Sequence, residues 1–308
     1  MPPSALRSAA IGTGVLLSMG LAVPAAHADE PEAAGAICTS AARPEVAAAL
    51  DEAIHAITVD RASDIAVGVS AFGGDLTCGF QADKGYDAAS VGKVLVLTTL
   101  LRTAQEEGRE LTAEEDELAT AMITVSDNDA TVELRNLLGK ERMQEFLDLA
   151  GMSNTTLHEN NAIGLMKINA NDELRLLDLI TTENDILGDE QRAYAQELMG
   201  SVIEEQQWGT PTGAPEGTDV LVKNGWLPYD DTDIWRINSV GAFDGTEAGP
   251  YQIVVLTDDN DGMAYGVESI ELVATEVHAA LNGSDAPAVG LFSERDDLPQ
   301  TSDGSDRA

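Results

Sequence analysis

Strand-like segments in this 308-residue chain gather near its two ends, with a long helical stretch between them. Residues 65–72 and 76–81 are short apolar or alternating runs separated by Gly73-Gly74-Asp75, a hairpin signal. Strand character returns in 219–226, 234–243 and 251–257, with Pro228-Tyr229-Asp230-Asp231 as the first turn, so an antiparallel meander is expected there. Helical patterning fills 89–107, 113–124, 130–138, 141–149, 171–181 and 191–205, and residues 43–58 and 265–281 read as flanking helices. This order predicts an α+β fold: one antiparallel sheet built from N- and C-terminal strands, flanked by helices, with an all-α insert domain. The expected boundaries are an α/β domain from 29–85 and 209–282, a helical domain from 86–208, and an acidic disordered tail from 283–308. A cleft between the two halves follows.

The first residues carry a different signal. Arg7, an apolar run from about residue 9 to 23, Pro24, and Ala26-His27-Ala28 before Asp29 have the pattern of a cleaved secretory signal over residues 1–28. The apolar stretch is short for a membrane span, so no anchor is expected after cleavage and the mature chain reads as secreted. In an oxidising compartment the two cysteines, Cys38 and Cys78, most simply form one disulfide, with a pair of reduced structural thiols as the alternative. The formal charge of −37 repels polyanions and makes nucleic acid an unsuitable partner. No histidine outside the signal has ligand spacing to another His or Cys, so neither a metal nor another cofactor is expected. The oligomeric state is not legible.

Chemistry concentrates at Ser90-Val91-Gly92-Lys93. With Ser90 starting the helix of 89–107, the i,i+3 spacing stacks a hydroxyl and an amine on one face. Five lysines and 16 serines in 308 residues give about 0.26 such spacings by chance, so this element alone is weak. Its bland reading is an N-cap serine followed by a surface lysine. Two further elements, Ser126-Asp127-Asn128 within the helical block and Lys223-Asn224-Gly225 on a returning strand, change the balance. Ser90 would attack a carbonyl only with a base at hand, and Lys93 serves as one only when neutral, through burial or the nearby charge of Lys223.

The triple combination resembles the penicillin-recognising serine hydrolases, a superfamily that includes class A β-lactamases and D-alanyl-D-alanine peptidases; class A β-lactamases are the nearest match. The resemblance covers residues 43–282 in element order. It implies a serine hydrolase that opens a β-lactam, or a related amide or ester, through a Ser90 acyl-enzyme. Ser126 would relay a proton to the leaving nitrogen, Asn128 would hold the substrate amide or Lys93, and Lys223 would attract a substrate carboxylate. Gly225 would let the substrate approach the strand, and the N–H groups of Ser90 and Trp226 would form an oxyanion hole. Catalytic expectations therefore rest on Ser90, Lys93 and Ser126, and substrate-binding expectations on Asn128, Lys223, Asn224, Gly225, Trp226 and Arg236.

Three departures qualify the match. Asn224 replaces the usual threonine or serine, Trp226 replaces a small residue, and Arg236 on the neighbouring strand is either a substitute for the missing hydroxyl or half of an ion pair. The E-x-x-L-N signature that supplies a water-activating glutamate in class A enzymes is absent between 157 and 171, where Glu159 reads as a surface residue. A D-alanyl-D-alanine carboxypeptidase-like cell-wall enzyme acting on a peptidoglycan-like substrate, and a non-catalytic extracellular binding protein, are the alternatives on the same fold. A Ser-His-Asp hydrolase is disfavoured because no G-x-S-x-G element occurs.

Overall fold

The computed structural model describes residues 35–230, 232–284, 298–299 and 301–307. Contacts divide the chain into units Met1–Gly35 and Ala36–Ala308, and every element described here belongs to the second. The expected signal of residues 1–28 and most of the expected tail lie outside the described residues.

Six strands form one antiparallel sheet: β1 (Cys38–Ser40), β2 (Asp64–Ala71), β3 (Leu76–Phe80), β6 (Asp219–Pro228), β7 (Ile234–Asp244) and β8 (Tyr251–Asp261), in the order β1-β3-β2-β8-β7-β6. The N-terminal hairpin joins the C-terminal meander where β2 pairs β8, from Asp64 opposite Asp258 to Ala71 opposite Tyr251. The sheet is thus built from both ends of the chain, as the element order predicts. A separate small ladder pairs β4 (Tyr86–Asp87) with β5 (Lys167–Ile168). β1 lies opposite β3 with Cys38 facing Cys78, and the two are joined as a disulfide.

The central strands are apolar on both faces because both are covered. Ile253 and Val255 of β8, with Val67 and Val69 of β2, pack with Leu50 and Ile54 of α1 (Pro44–Asp60) and Val267 and Val277 of α7 (Met263–Asn282). On the other side Ala66, Val240, Val254 and Leu256 join the core of the helical block. That block contains α2 (Lys93–Glu106), α3 (Ala113–Thr124), α4 (Asn128–Ala150), α5 (Ala170–Thr181) and α6 (Asp189–Gly200). Val94, Leu95, Val96, Leu97 and Leu100 are all fully buried, which accounts for the apolar character of α2 around its circumference.

Local chemistry sets the helix ends. The Thr112 hydroxyl accepts the Glu115 N–H at 3.2 Å while the Glu115 carboxylate accepts the Thr112 N–H at 2.8 Å, a reciprocal cap for α3. Asp127 caps α4 by accepting the Ala130 N–H at 2.8 Å, as its place before that helix implies. The helices expected at 130–138 and 141–149 are the two halves of α4, which meet at Gly139, whose φ of 76° leaves the helical region. One expectation is corrected. Ser90 does not start an α-helix: Ala89–Gly92 is a 3₁₀ turn, and α2 begins at Lys93.

Candidate active site

The 3₁₀ turn holding Ser90 is wedged between β6 and the segment 163–166. Asn238, buried in β7, donates its amide to the Asp87 and Ala88 carbonyls at 2.8 and 3.1 Å, and its Oδ1 accepts the Thr257 N–H at 3.1 Å. A Cβ on Gly92 would meet the Ile163 side chain at 2.9 Å and its carbonyl at 3.1 Å. A Cβ on Gly225 would stand 2.5 Å from the Ser90 nitrogen, so glycine is what allows β6 to run against the turn. Ser90 itself is fully buried and its hydroxyl makes no hydrogen bond. A buried hydroxyl without a partner is costly in a structural role.

Lys93 and Lys223 are both completely buried and meet at one hydroxyl. Ser126 Oγ accepts from Lys93 Nζ at 3.0 Å and from Lys223 Nζ at 3.0 Å. Lys93 also donates to the Ser126 carbonyl at 2.6 Å and to Asn128 Oδ1 at 2.7 Å; Lys223 also donates to the Asn224 carbonyl at 2.9 Å. Ser126 reaches between the amines from a left-handed backbone position, φ 62°, at the α3–α4 junction. Such a conformation in a non-glycine residue is a strain that the surrounding bonds must offset.

Burial drives both amines toward their neutral forms. Lys93 falls to about 8, chiefly by desolvation, with Asp303 and Asp127 opposing. Lys223 falls to about 7 by desolvation and by the charge of Lys93, with Asp303 again opposing. When one lysine is neutral, its lone pair can receive the Ser126 proton while the hydroxyl still accepts from the other, so Ser126 bridges a proton path.

Strand alternation separates the remaining expected site residues. Lys223 and Gly225 lie on one face of β6; Asn224 and Trp226 lie on the other. The Asn224 amide donates to the Gln206 and Trp208 carbonyls at 2.9 and 2.8 Å, and the Trp226 ring packs edge-on to Trp208 at 5.8 Å. The Trp226 main-chain N–H nevertheless points to the same place as that of Ser90. Arg236 is committed elsewhere: it pairs with Asp87 at 2.8 Å, donates to the Leu227 and Pro228 carbonyls, and stacks 4.0 Å over Tyr229. Lys167 holds the second Asp87 oxygen at 2.6 Å.

Glu159 is exposed, and the loop that follows it meets the turn of Ser90 through Ile163 and Met166. Another acid, Glu173, is buried and pushed up to about 8 by desolvation and Asp172; its helix, α5, packs on β8 and β2. His278 is held between Tyr251 and the Thr210 carbonyl, and burial pushes it down to about 4.

One residue at the site was absent from the sequence-based expectations. Asp303, from the C-terminal segment, accepts the Ser90 N–H at 3.0 Å and the Trp226 N–H at 3.1 Å through a single oxygen, Oδ2. A cavity of about 800 Å³ lined by Ser70, Thr181, Gln196, Asp244 and Tyr251 does not include Ser90 or either lysine. That cavity is separate from the cluster of Ser90, Lys93, Ser126 and Lys223 that Asp303 caps.

A family model described as the beta-lactamase enzyme family matches residues 108–281. A search of curated proteins gives no match. Similar solved structures include a class A beta-lactamase from Bacteroides cellulosilyticus, 16% identical with a TM-score of 0.67, covering 77% of this chain and 98% of that one. A beta-lactamase from Sphaerobacter thermophilus is 19% identical with a TM-score of 0.64, covering 76% and 97%. A mutant of PBP-A, in an acyl-enzyme complex with penicillin G, is 18% identical with a TM-score of 0.66, covering 77% and 97%. At these identities the likeness is one of fold.

Proposed function

The chain belongs to the beta-lactamase enzyme family, and from that premise we propose that it is an exported serine hydrolase that opens a β-lactam, or a related amide, through an acyl-enzyme on Ser90. The observation that carries the reading is the pair of buried lysines joined through Ser126 Oγ beside a buried serine hydroxyl with no partner. In the forward step, Ser90 Oγ bonds to the carbonyl carbon and its proton passes to neutral Lys93. The carbonyl oxygen becomes an oxyanion between the Ser90 and Trp226 N–H groups, where Asp303 Oδ2 now lies. The carbon–nitrogen bond then breaks, and the leaving nitrogen takes a proton through Ser126, with Lys223 stabilising the developing charge. Two oriented N–H donors supply several kcal/mol of transition-state stabilisation, at ~3 kcal/mol each.

Release of the acyl group needs a water and a base. Glu159 is exposed, and the residues of that segment that meet the Ser90 turn, Ile163 and Met166, carry no carboxylate. Slow deacylation follows, which also favours the carboxypeptidase-like reading over a fast lactamase. The solved PBP-A mutant held as an acyl-enzyme with penicillin G is a precedent on this fold. Export is supported by the Cys38–Cys78 disulfide, and among the described residues no helix is long and apolar enough to cross a membrane.

Intact-mass measurement over a time course with a chromogenic β-lactam tests the reading, comparing the native chain with Ser90→Ala. A long-lived adduct on the native chain alone is expected. Rapid colour release without accumulation would assign a true lactamase. No adduct and no turnover after prolonged incubation would refute the hydrolase and favour a non-catalytic binding protein.

A further inference from the structure

β6 is one of the two outer strands of the six-stranded sheet, and an outer strand presents unpaired N–H and C=O groups to any extended chain. Here the occupant is the protein's own C-terminal segment. The Asp303 N–H donates to the Trp226 carbonyl at 3.0 Å, and Asp303 Oδ2 accepts the Trp226 and Ser90 N–H groups. On one side of this rung the Thr301 carbonyl accepts the Trp226 indole N–H at 3.0 Å. On the other, the Asp303 carbonyl accepts from the Asn128 amide and the Ser305 carbonyl accepts the Gly164 N–H at 3.0 Å. The segment therefore spans the cleft, touching the strand, the helical block and the loop.

The fit is steric as well as polar. Ser305 is completely buried, and Leu298 is buried within the sheet-side core. A Cβ on Gly164 would meet Ser305 backbone atoms at 2.6 Å, and one on Gly304, whose φ is 73°, would meet the Asn128 amide at 2.7 Å. Asp303 also turns its Oδ1 to the Ser305 N–H at 2.9 Å, which fixes the carboxylate against its own chain. Its negative charge stabilises the protonated forms of both buried lysines.

We propose that the C-terminal segment, residues 301–307, is a resident ligand of the Ser90 cleft and acts as an intramolecular competitor of substrate. Its carboxylate fills the oxyanion position, and its backbone takes the edge of β6 that an extended substrate would need. Because the segment belongs to the same chain, it competes intramolecularly, and acylation proceeds only from the fraction of molecules in which it has left. The kinetic consequence rests on the acyl-enzyme reading; the binding of the segment does not.

Two measurements on the full chain test this, comparing the native sequence with Asp303→Ala. Removing the charge-assisted bonds of one carboxylate raises the rate of Ser90 acylation by a chromogenic β-lactam about tenfold or more, and moves the alkaline rise of that rate to lower pH. Hydrogen exchange followed by mass spectrometry shows the amides of 301–307 protected in the native chain and close to free-peptide rates in the variant. Equal acylation rates, or a native segment that exchanges like a free peptide, would overturn the proposal. If neither protein is acylated, the acyl-enzyme reading fails by itself, and the exchange result alone decides whether the segment occupies the cleft.

Discussion

Gly225→Ala perturbs the spacing of the oxyanion donors without changing any other residue of the site. The added Cβ would stand 2.5 Å from the Ser90 nitrogen and 2.9 Å from both the Ala89 Cβ and the Val91 nitrogen. Ordinary contacts between such atoms begin near ~3.5 Å, so β6 and the turn must part by on the order of 1 Å. Two of the obstructing atoms are backbone nitrogens and cannot rotate away. That displacement carries the Trp226 N–H away from the Ser90 N–H, and a donor moved from about 3 Å to about 4 Å no longer bonds. Losing one such donor costs about 10²–10³ in rate, roughly 3–4 kcal/mol of transition-state stabilisation. The overpacking itself costs about 1–3 kcal/mol of stability, so the variant still folds. The assay is the rate of Ser90 acylation by a chromogenic β-lactam in the Asp303→Ala background, which removes the carboxylate from between the two N–H groups, alongside a thermal melt. A rate within about threefold of the Asp303→Ala parent would refute the close-approach argument.

Three further predictions follow from the buried cations. Acylation needs uncharged Lys93, so its rate rises with pH through about 8 and is lost below as the amine protonates; a pH–rate profile that is flat across that value contradicts the assignment of Lys93 as base. The same depression has a defined sign for stability: between about 8 and 10.5 the unfolded chain binds the Lys93 proton and the folded chain does not, so the contribution of Lys93 to stability grows with rising pH in that window. Arg236→Ala removes the Asp87 pair, two carbonyl bonds and the stack on Tyr229, and lowers stability by about 3 kcal/mol in a denaturant melt, moderated by Lys167. Its acylation rate changes far less than that of Gly225→Ala; a large rate loss at unchanged stability would instead place the guanidinium on the substrate.

The residues that meet in the cleft were legible because each element carries its own signature and the order of elements brings the signatures together. Ser126 and Asn128 stand at an interruption of the helical block, and Lys223 and Gly225 share one parity of a strand. The same parity, applied one residue further, places Asn224 on the opposite face, so its direction was available from the strand period alone. The 3₁₀ turn at Ser90 was not, since apolar periodicity over 94–101 is unaffected by one tight turn before it. β1 escaped notice because three residues have no period to detect; its place is set by its partner and by the disulfide. The C-terminal segment escaped for a deeper reason. Its composition is that of an unfolded tail, and what holds it in the cleft is main-chain bonding to an outer strand and one carboxylate, interactions that leave no hydrophobic pattern.

Asn238 fastens the chain just before Ser90 to β7 of the sheet, whereas Ser126 and Asn128, the partners of Lys93, hang from the α3–α4 junction. On the proposed reading, the acylated serine and its two N–H donors therefore inherit their coordinates from the strands, and the partners of Lys93 inherit theirs from the helices. A small shift of the helical block would retune the acidity and timing of the lysine pair while leaving the carbonyl's seat untouched. In such an arrangement, substitutions buried far out in α3 or α4 become a dial on the speed of bond making, and substitutions in the central strands become a switch for whether any acyl acceptor exists at all.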